Sequence, residues 1–478
     1  MADVRLLSIE GVAFPVSVGV LIIGAGAAGI TAALAAHDRG ADVLVLERDP
    51  VPLGSTSMSS GFVPAAGTRA QTHQGIEDDA TRFAEDIGKK AGGRAVPSLV
   101  ALATREIAPA VDWLEQAHGL EWEVLDGFLY PGHSRHRMHA VPERTGAALL
   151  ERLLSAAAAA GIPIATGARV TALYAGPDGQ VRGAETTRTD GATELIGCDA
   201  LILACCGYGA NREVVARHIP LMADAPYWGH PGNTGDALVW GQGLGAAAAC
   251  LSGAQGHGSL AHPHGALITW ALMMEGGIQV NADGRRFSNE HRGYSEQAVD
   301  VLSQPGAVAW CIFDARLREM ADGFPDFREA AAAGAVLQGD AAALARATGL
   351  PADALAQTLQ DTQAFADGRD QDPHGRDFTT NPPLGIDLFA VRVTGALFHT
   401  QGGLMIGDDA RVLHQNGQAL PNLFAAGGAA CGVSGDRLDG YLSGNGLLSA
   451  IAFGRVAGRE AGRVAGVQIS PNLPHISN

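Results

Sequence analysis

The sequence predicts an α/β fold, and three features near its N-terminus carry this prediction. Residues 20–23 are all apolar, as expected of a parallel strand that is buried on both faces. A G-x-G-x-x-G pattern spans 24–29, where this strand would turn into a helix over 27–39. A second strand is predicted over 41–47 and ends in an acid. Strand, glycine turn, helix, strand and acid in this order predict a Rossmann-like unit that binds a dinucleotide.

The residues of this unit have separate tasks. Gly24 permits the tight turn, Gly26 lets backbone N–H groups approach a diphosphate, and Gly29 allows close packing of helix and strand. The phosphates would lie at the helix N-terminus, where unpaired N–H groups and the helix dipole favour an anion. Glu47 can accept hydrogen bonds from ribose hydroxyls. The cofactor contacts predicted from this unit are Gly24, Gly26, Ala27, Ala28, Gly29, Glu47 and Arg48.

A loop rich in hydroxyl groups follows at 54–61. Such a loop can lie against a cofactor and donate hydrogen bonds to its phosphate or ring oxygens. A serine-rich surface turn is the alternative interpretation. The contacts predicted from this loop are Ser55, Thr56, Ser57, Ser60 and Gly61.

Composition excludes several classes of function. A net charge of −17 argues against nucleic acid or an anionic membrane surface as a partner. Since there is no basic N-terminal region and no apolar run of about 18 residues, we expect a cytoplasmic protein without membrane insertion. The six cysteines show no C-x-x-C spacing, which predicts neither a metal cage nor a disulfide framework. The adjacent Cys205 and Cys206 are expected to be small buried hydrophobic residues.

A histidine-rich segment at 126–141 resembles a metal site only at first sight. No cysteine or acid lies between His133, His136 and His139 to complete a ligand set, and the intervening arginines would repel a cation. We therefore predict no metal site.

The remaining pattern predicts one domain interrupted by another. Its first part has helices over 76–90, 97–118 and 145–160, and strands over 164–174, 181–187, 192–196 and 200–209. Val170 and Gly207 are predicted cofactor contacts on these strands. The dinucleotide pattern stops between 262 and 398, so the predicted domains are 1–261, an inserted 262–398, and 399–478.

The C-terminal part supplies a second half-site for the ring end of the cofactor. An apolar strand runs into a glycine turn at 423–428, and a final helix is predicted over 447–461, with Gly462 just past its end. The contacts predicted here are Gly427, Gly428, Asn445, Leu447 and Leu448.

Four blocks of the sequence together match one family pattern. They are the 24–47 fingerprint, Asn-x-x-Gly-x-Arg-Phe-x-Asn-Glu at 281–290, His-Thr-x-Gly-Gly at 399–403, and glycine-rich segments within 424–458. With these blocks the chain resembles the fumarate reductase/succinate dehydrogenase flavoprotein superfamily, which includes soluble fumarate reductases and 3-ketosteroid dehydrogenases. The resemblance covers nearly the whole chain. It implies a Rossmann-like FAD-binding domain with an inserted α+β substrate-capping domain, and a substrate held against the flavin at their junction.

Departures from the family pattern bear on the substrate. In the dicarboxylate reductases of this family, one arginine donates the proton and another binds the substrate carboxylate. The matching positions here are Tyr294 and Tyr441, and a relay arginine is replaced by Ile278. His262 and His399 match family histidines, which implies contacts with the substrate.

The resemblance also implies that FAD is bound non-covalently. The Ser-rich loop lacks the histidine that the respiratory enzymes use for covalent attachment. The acid expected to contact the ribityl chain is also missing, because Gly428 occupies its position.

Tyrosine in place of arginine changes the expected chemistry. Arginine is a permanent cation suited to carboxylates, whereas a phenol can bond a ketone oxygen or, once deprotonated, take a proton from carbon. Tyr441 and Ser443, together with Tyr294, resemble ketosteroid dehydrogenases that introduce the 4,5 double bond. This implies FAD-dependent α,β-desaturation of a cyclic ketone. Tyr441 and a backbone N–H of Gly444 or Gly446 would hold the ketone oxygen, Ser443 or Tyr294 would take the α-proton, and flavin N5 would accept the hydride.

Other functions stay open at this point. A reductase of α,β-unsaturated (di)carboxylates would need Arg292 or Arg437 to replace the missing arginines. A flavin-binding redox or scaffold protein without turnover is a third alternative. Among ketones, a steroid, a smaller cyclohexanone-type ring and an oxocyclohexane carboxylate are all compatible with the sequence. The sequence does not identify the external electron acceptor.

Overall fold

The computed structural model describes residues 4–127 and 129–466, and its chain divides into two units. The first unit comprises Met1–Ile219, Gly229–Ala254 and His399–Asn478, and the second comprises Pro220–Trp228 and Gln255–Phe398. The boundary expected at 261/262 therefore differs from the division at 254/255. The part of the predicted 399–478 segment beyond Gly466 lies outside the described residues.

A mixed sheet forms the centre of the first unit. Its parallel core places Val16–Ile23 between Val43–Leu46 and Thr193–Leu203, and Ala419–Ala425 pairs with the far end of Thr193–Leu203. The apolar run predicted as a buried strand is fully buried up to Ile22. The strands of this unit are Arg5–Ser8, Val16–Ile23, Val43–Leu46, Val63–Pro64, Glu123–Val124, Met138–Ala140, Ile164–Ala165, Ala168–Ala175, Val181–Arg188, Thr193–Leu203, Ala248–Ala249, Gly403–Leu404, Arg411–Leu413 and Ala419–Ala425.

The helices of the first unit depart from the sequence-based expectation at two places. The Ser-rich loop contains a short helix, Gly54–Ser57. The final helix runs from Asn445 to Gly466, so the expectation that Gly462 follows its end was wrong. The helices of this unit are Ala27–His37, Gly54–Ser57, Arg69–His73, Ala80–Lys90, Pro97–His118, Gly146–Ala159, Arg212–His218, Asp236–Gly243 and Asn445–Gly466.

The final helix packs directly on the glycine-fingerprint helix. A Cβ at Gly454 would lie 2.6 Å from the carbonyl oxygen of Ala28, and one at Gly458 would overlap the carbonyl oxygen of Ala32. A Cβ at Gly462 would lie 3.2 Å from the Ala36 carbonyl oxygen. Glycines four residues apart share one helix face, so this face lets the two backbones meet without intervening side chains.

The second unit is built on an antiparallel sheet. Val308–Asp314 pairs with Leu388–Thr400 on one side and with Ile278–Val280 on the other. The strands here are Ala254–Ala261, Ile278–Val280, Val308–Asp314, Val336–Gly339 and Leu388–Thr400, and the helices are Ala271–Met274, Tyr294–Leu302, Ala315–Ala321, Pro325–Ala332, Ala341–Thr348 and Ala352–Ala366. One apolar core of this unit stacks Phe313 on Phe389 and packs Phe313 edge-on against Phe327.

A buried ionic cluster also stabilises the second unit. Glu290 accepts hydrogen bonds from Arg286 at 2.7 Å and from Arg376 at 3.1 Å, and Arg286 also bonds Asp372 at 2.6 Å. Burial alone would raise the pKa of Glu290, but the two guanidinium groups lower it to about 2. Arg286 and Glu290 of the Asn-x-x-Gly-x-Arg-Phe-x-Asn-Glu block thus have a structural role.

No helix among residues 4–127 and 129–466 combines the length and apolarity needed to cross a bilayer. The cytoplasmic location stays a prediction.

The close helix pair generates a stability prediction. Gly458→Ala should lower the thermal unfolding midpoint, because the added methyl group must displace the backbone of Ala32, and overpacking of this kind costs about 1–3 kcal/mol. Gly88→Ala is the matched control, since Gly88 is also helical and has open space around its Cβ position. That variant should be neutral or more stable by about 0.5–1 kcal/mol. Equal midpoints for the two variants would contradict this role of Gly458.

Candidate functional site

Glu47 fixes the glycine turn of the first unit. Its Oε2 accepts a hydrogen bond from the backbone N–H of Ala25 at 2.9 Å, and its Oε1 accepts one from Asp49 N–H at 3.0 Å. Only 9% of Glu47 is exposed. A carboxylate oxygen has a second lone pair, so both oxygens keep capacity to accept from a ligand hydroxyl.

Glycines allow close backbone packing at the start of the helix Ala27–His37. Gly24 has a φ of 107°, and a Cβ there would lie 2.5 Å from the carbonyl oxygen of Ala204. A Cβ at Gly29 would overlap the carbonyl oxygen of Gly24. Gly26 begins the helix without a side-chain cap, and Ala27 N–H donates to the Thr56 hydroxyl at 3.0 Å. The arrangement is that of an anion site built from backbone N–H groups.

The predicted contacts of the Ser-rich segment separate into two groups. Ser55 accepts a hydrogen bond from Asn233 Nδ2 at 2.9 Å, and Thr56 accepts one from the Ala27 N–H at 3.0 Å, so both side chains bond groups outside their own turn. Ser57 instead donates to the carbonyls of its own helical turn, and Ser60 is exposed. Gly61 and Arg48 face other backbone segments: a Cβ at Gly61 would lie 2.5 Å from the Thr145 carbonyl oxygen, and Arg48 donates to the Gly232 carbonyl oxygen at 3.0 Å.

Three of the predicted C-terminal contacts, Asn445, Leu447 and Leu448, lie at the start of the final helix. Asn445 is fully buried, donates from Nδ2 to Ser434 at 2.9 Å, and has no partner for its Oδ1. In the same helix, Leu448 is fully buried and Leu447 is partly buried. Gly427 abuts the fingerprint helix, because a Cβ there would lie 3.1 Å from the Ala28 Cβ. Ala28 itself is buried. Val170 lies buried within the strand Ala168–Ala175.

A hydrogen-bonded chain that sequence reasoning missed leads from Asn445 into the site. Ser434 donates to Gln401 Oε1 at 2.8 Å, and Gln401 Nε2 lies 2.9 Å from His399 Nδ1. His399 Nε2 lies 3.7 Å from Cys206 Sγ. Gly207 and Gly428 lie beside the Cys206 end of this hydrogen-bonded series. Their positions were predicted from glycine turns, but the sequence carries no signal that Gln401, Ser434 and Cys206 would converge.

Tyr441 is buried, and its hydroxyl oxygen faces backbone N–H groups of its own loop. Burial raises the pKa of Tyr441 to about 12, and hydrogen bonds from the N–H groups of Gly446 and Gly444 only partly offset this effect. The phenol is therefore protonated throughout the physiological range. Two features favour glycine at position 444. Its φ of 86° is positive, and a Cβ there would lie 2.6 Å from Pro64.

Ser443 is held through its backbone. It is 5% exposed, and its carbonyl oxygen lies 3.0 Å from His133 Nε2. Burial lowers the pKa of His133 to about 4, so the imidazole is neutral and donates this bond. Its Nδ1 is buried without a partner. In the described part of the chain, no group of three or more His, Cys, Asp or Glu side chains is arranged to hold a metal ion.

The second unit places Tyr294 in an aromatic stack. Tyr294 starts the helix Tyr294–Leu302, and its ring stacks on His257 at 4.8 Å. Phe398 stacks on His257 at 5.1 Å, and Trp228 stacks on Phe398 at 4.7 Å. Burial lowers the pKa of His257 to about 3, so this ring is neutral. His257 was not among the predicted residues.

His262 lies at the end of the strand Ala254–Ala261. It is partly buried, and its backbone N–H donates to the Arg392 carbonyl oxygen at 2.9 Å. Burial lowers the pKa of this imidazole, with a further contribution from the cation of Arg392.

Comparison with known proteins identifies the family. The family described as FAD binding domain matches residues 19–444. The chain belongs to this family. A relative from Shewanella frigidimarina, named a probable fumarate reductase, is 32% identical over 459 residues, covering 93% of this chain and 75% of the relative. The family resemblance and the FAD cofactor expected from the sequence are thereby confirmed, and the protein is an FAD-dependent oxidoreductase.

Solved structures agree with the predicted fold class. The open conformation of a flavocytochrome c3 fumarate reductase superposes with a TM-score of 0.80 at 30% identity, covering 95% of this chain and 79% of that one. The 3-ketosteroid-Δ4-(5α)-dehydrogenase from Rhodococcus jostii RHA1 has a TM-score of 0.76 at 24% identity, with 96% and 100% coverage. The second likeness concerns the fold alone.

The residues of the first unit fit FAD. The start of the helix Ala27–His37, where Gly26 offers no side-chain cap, suits a diphosphate, and the buried Asn445 Oδ1, which has no hydrogen-bond partner, suits a donor from a ligand. Both features lie at positions predicted from the sequence to contact the cofactor.

Non-covalent attachment stays a prediction, which acid treatment tests. After acid precipitation the yellow colour should pass entirely into the supernatant, because no attachment histidine occupies the Ser-rich segment. A flavoprotein with covalent flavin, treated in parallel, should keep its colour in the pellet. Colour retained in the pellet of this protein would disprove the prediction.

Proposed function

We propose that this protein is an α,β-desaturase of a cyclic ketone, such as a 3-ketosteroid or a smaller cyclohexanone-type ring. One observation carries the proposal: a buried, neutral phenol, Tyr441, occupies the position where a dicarboxylate reductase of the family would carry a substrate-binding arginine. Bound FAD supplies a hydride acceptor. The substrate partner is thus a neutral carbonyl compound, and its electrons leave through an external acceptor.

Tyr441 acts as the hydrogen-bond donor to the ketone oxygen. Its own oxygen accepts from the N–H groups of Gly446 and Gly444, which directs its O–H proton away from that loop. Hydrogen bonds accepted by a phenol also polarise its O–H bond. Gly444 and Gly446 then position and polarise Tyr441. Negative charge that develops on the ketone oxygen during α-proton loss is stabilised by this preorganised donor.

Two arginines considered as replacements for the missing family arginines are engaged elsewhere. Arg437 is 56% exposed and bonds Asp439 at 2.6 Å. Arg292 is 53% exposed and bonds Asp300 at 2.6 Å. A partner carboxylate neutralises each cation, which disfavours either as a binding group for a substrate carboxylate.

Ser443 and Tyr294 are the candidates for the α-proton acceptor, with Tyr294 as the preferred final acceptor. A phenol has a reference pKa near ~10, so a tyrosine base works best at alkaline pH. The matching kinetic expectation is a rate that rises with pH until the base is ionised.

The alternative function is reduction of an α,β-unsaturated (di)carboxylate. It is favoured by the relative named as a probable fumarate reductase, which is 32% identical to this chain. The two functions make opposite demands on Tyr441, since a carboxylate substrate calls for a cation at that position.

Substitution of the two tyrosines tests the mechanism. Tyr441→Phe and Tyr294→Phe should each slow flavin reduction by a cyclic ketone by ~10²–10³-fold, the typical effect of removing one preorganised donor. Bound FAD should be retained in both. Tyr174→Phe is the matched control, because the Tyr174 hydroxyl contacts Glu185 in the strand Val181–Arg188, and that variant should reduce at the normal rate. Near-normal rates in both test variants would refute the two-tyrosine mechanism.

A substrate comparison separates the two functions. Stopped-flow mixing of oxidised holoenzyme with a saturated cyclic ketone should bleach the flavin. The pre-reduced enzyme should not be reoxidised by fumarate, because Tyr441, Tyr294 and Ile278 occupy the positions of the family arginines. Reoxidation by fumarate at rates comparable with ketone oxidation would favour the alternative.

A further inference from the structure

Two lines of hydrogen-bond donors converge on the sulfur of Cys206. On one side, Asn233 Nδ2 donates to Ser55 Oγ at 2.9 Å, and Ser55 Oγ lies 3.4 Å from Cys206 Sγ. Because the amide of Asn233 is the donor in the first contact, the Ser55 proton is free to point at the sulfur. Ser55 can therefore donate to Cys206, and this hydrogen bond lowers the pKa of the thiol.

A second series of hydrogen bonds also donates towards Cys206. Asn445 Nδ2 donates to Ser434, whose hydroxyl proton goes to Gln401 Oε1. The Gln401 amide then presents its Nε2 hydrogen to His399 Nδ1, which leaves Nε2 as the protonated ring nitrogen that faces the sulfur. That Nε2–H is directed at Cys206 Sγ at 3.7 Å.

A sulfur that receives two donors is stabilised as a thiolate. Burial opposes ionisation, but His399 and the Ser55 hydrogen bond together hold the pKa of the Cys206 thiol below its usual value. The neighbouring Cys205 behaves in the opposite way, since burial raises the pKa of its thiol well above normal. Among the other cysteines, Cys198 and Cys311 are also buried with raised pKa values.

The sulfur and the imidazole lie side by side against Gly428. A Cβ at Gly428 would lie 3.1 Å from His399 Nε2 and 3.2 Å from Cys206 Sγ, so only glycine fits against the pair. Cys206 is partly exposed, and it sits at a φ of 65° just after the strand Thr193–Leu203. This positive φ is uncommon for a residue other than glycine, and such backbone outliers concentrate at functional sites.

We propose that Cys206, paired with His399, is a nucleophilic site for soft carbon electrophiles, and specifically for conjugated enones. The choice of enones rests on the proposed function, because desaturation of a cyclic ketone produces one. The thiolate sulfur bonds the β-carbon of the enone, the C=C π bond breaks, and the α-carbon takes a proton from water. No oxidant or reductant is required. The site would make the enzyme sensitive to accumulated product.

Mass spectrometry of the holoenzyme tests this site. The native protein is incubated with 2-cyclohexen-1-one or, separately, with iodoacetamide, and adducts are assigned by peptide fragmentation, which distinguishes Cys206 from Cys205. The internal reference is Cys250, which is also partly exposed and whose pKa is lowered by a hydrogen bond with Cys431. The enone adduct on Cys206 should form at least about 10-fold faster than on Cys250. Cys206→Ser should lose it.

Donor removal distinguishes a paired cysteine from a merely exposed one. His399→Phe should slow alkylation of Cys206 by about 10-fold, since a hydrogen bond to a charged acceptor is lost. Ser55→Ala removes the other donor and should act in the same direction, which keeps the test decisive if one variant does not fold. Absence of an enone adduct on Cys206, equal rates at Cys250, or unchanged rates in the folded donor variants would overturn the proposal.

The outcome is separable from the proposed function. The enone is added directly, so adduct formation needs no turnover, while ketone oxidation is followed independently by flavin bleaching. An adduct on Cys206 without ketone oxidation supports the nucleophilic site and counts against the desaturase. Ketone oxidation without an adduct rejects the site alone.

Discussion

The close contact between two helices positions the whole dinucleotide site of the first unit. Gly454 and Gly458 let the helix Asn445–Gly466 approach the backbone carbonyls of Ala28 and Ala32 on the helix Ala27–His37. The N-terminus of each helix carries predicted cofactor contacts. Their separation is therefore set by backbone against backbone, with no flexible side chain between. A cofactor that spans both helix starts depends on this spacing, because a shift of one helix would misplace either the diphosphate end or the ring end.

Local patterns predicted the turn and its strands, but not the helix pairing. The glycine turn can be predicted from the sequence because each glycine is required by contacts with nearby residues, such as the contact between Gly29 and Gly24. Gly462 shows the limit of this reasoning. Glycine commonly follows a helix end, yet here it lies inside the helix, where a Cβ would meet Ala36 of another helix and Arg39 just beyond the end of that helix. A glycine that packing against a distant segment requires looks the same in the sequence as a glycine that ends a helix.

The same limit applies within the candidate site. Tyr441 and Ser443 could be predicted from a sequence motif because they lie beside a glycine loop at fixed spacing. The donors that surround Cys206 come from well-separated segments and follow no spacing at all. The expectation that Cys205 and Cys206 are both small buried residues did not distinguish them, yet burial raises the pKa of Cys205 whereas His399 and Ser55 lower that of Cys206. The difference arises from side-chain direction at the end of a strand, where the positive φ of Cys206 points its sulfur at His399.

Backbone polarity at Tyr441 gives a physical reason for tyrosine at this position. The N–H groups of Gly444 and Gly446 present the positive ends of two dipoles to the side-chain atom that lies there. A phenol oxygen accepts both hydrogen bonds, whereas a guanidinium has only donors and would be repelled. A buried cation without an acceptor is also costly to desolvate. Tyrosine at this position thus agrees with the loop geometry around it, and this agreement supports the proposed preference for a neutral carbonyl over a carboxylate.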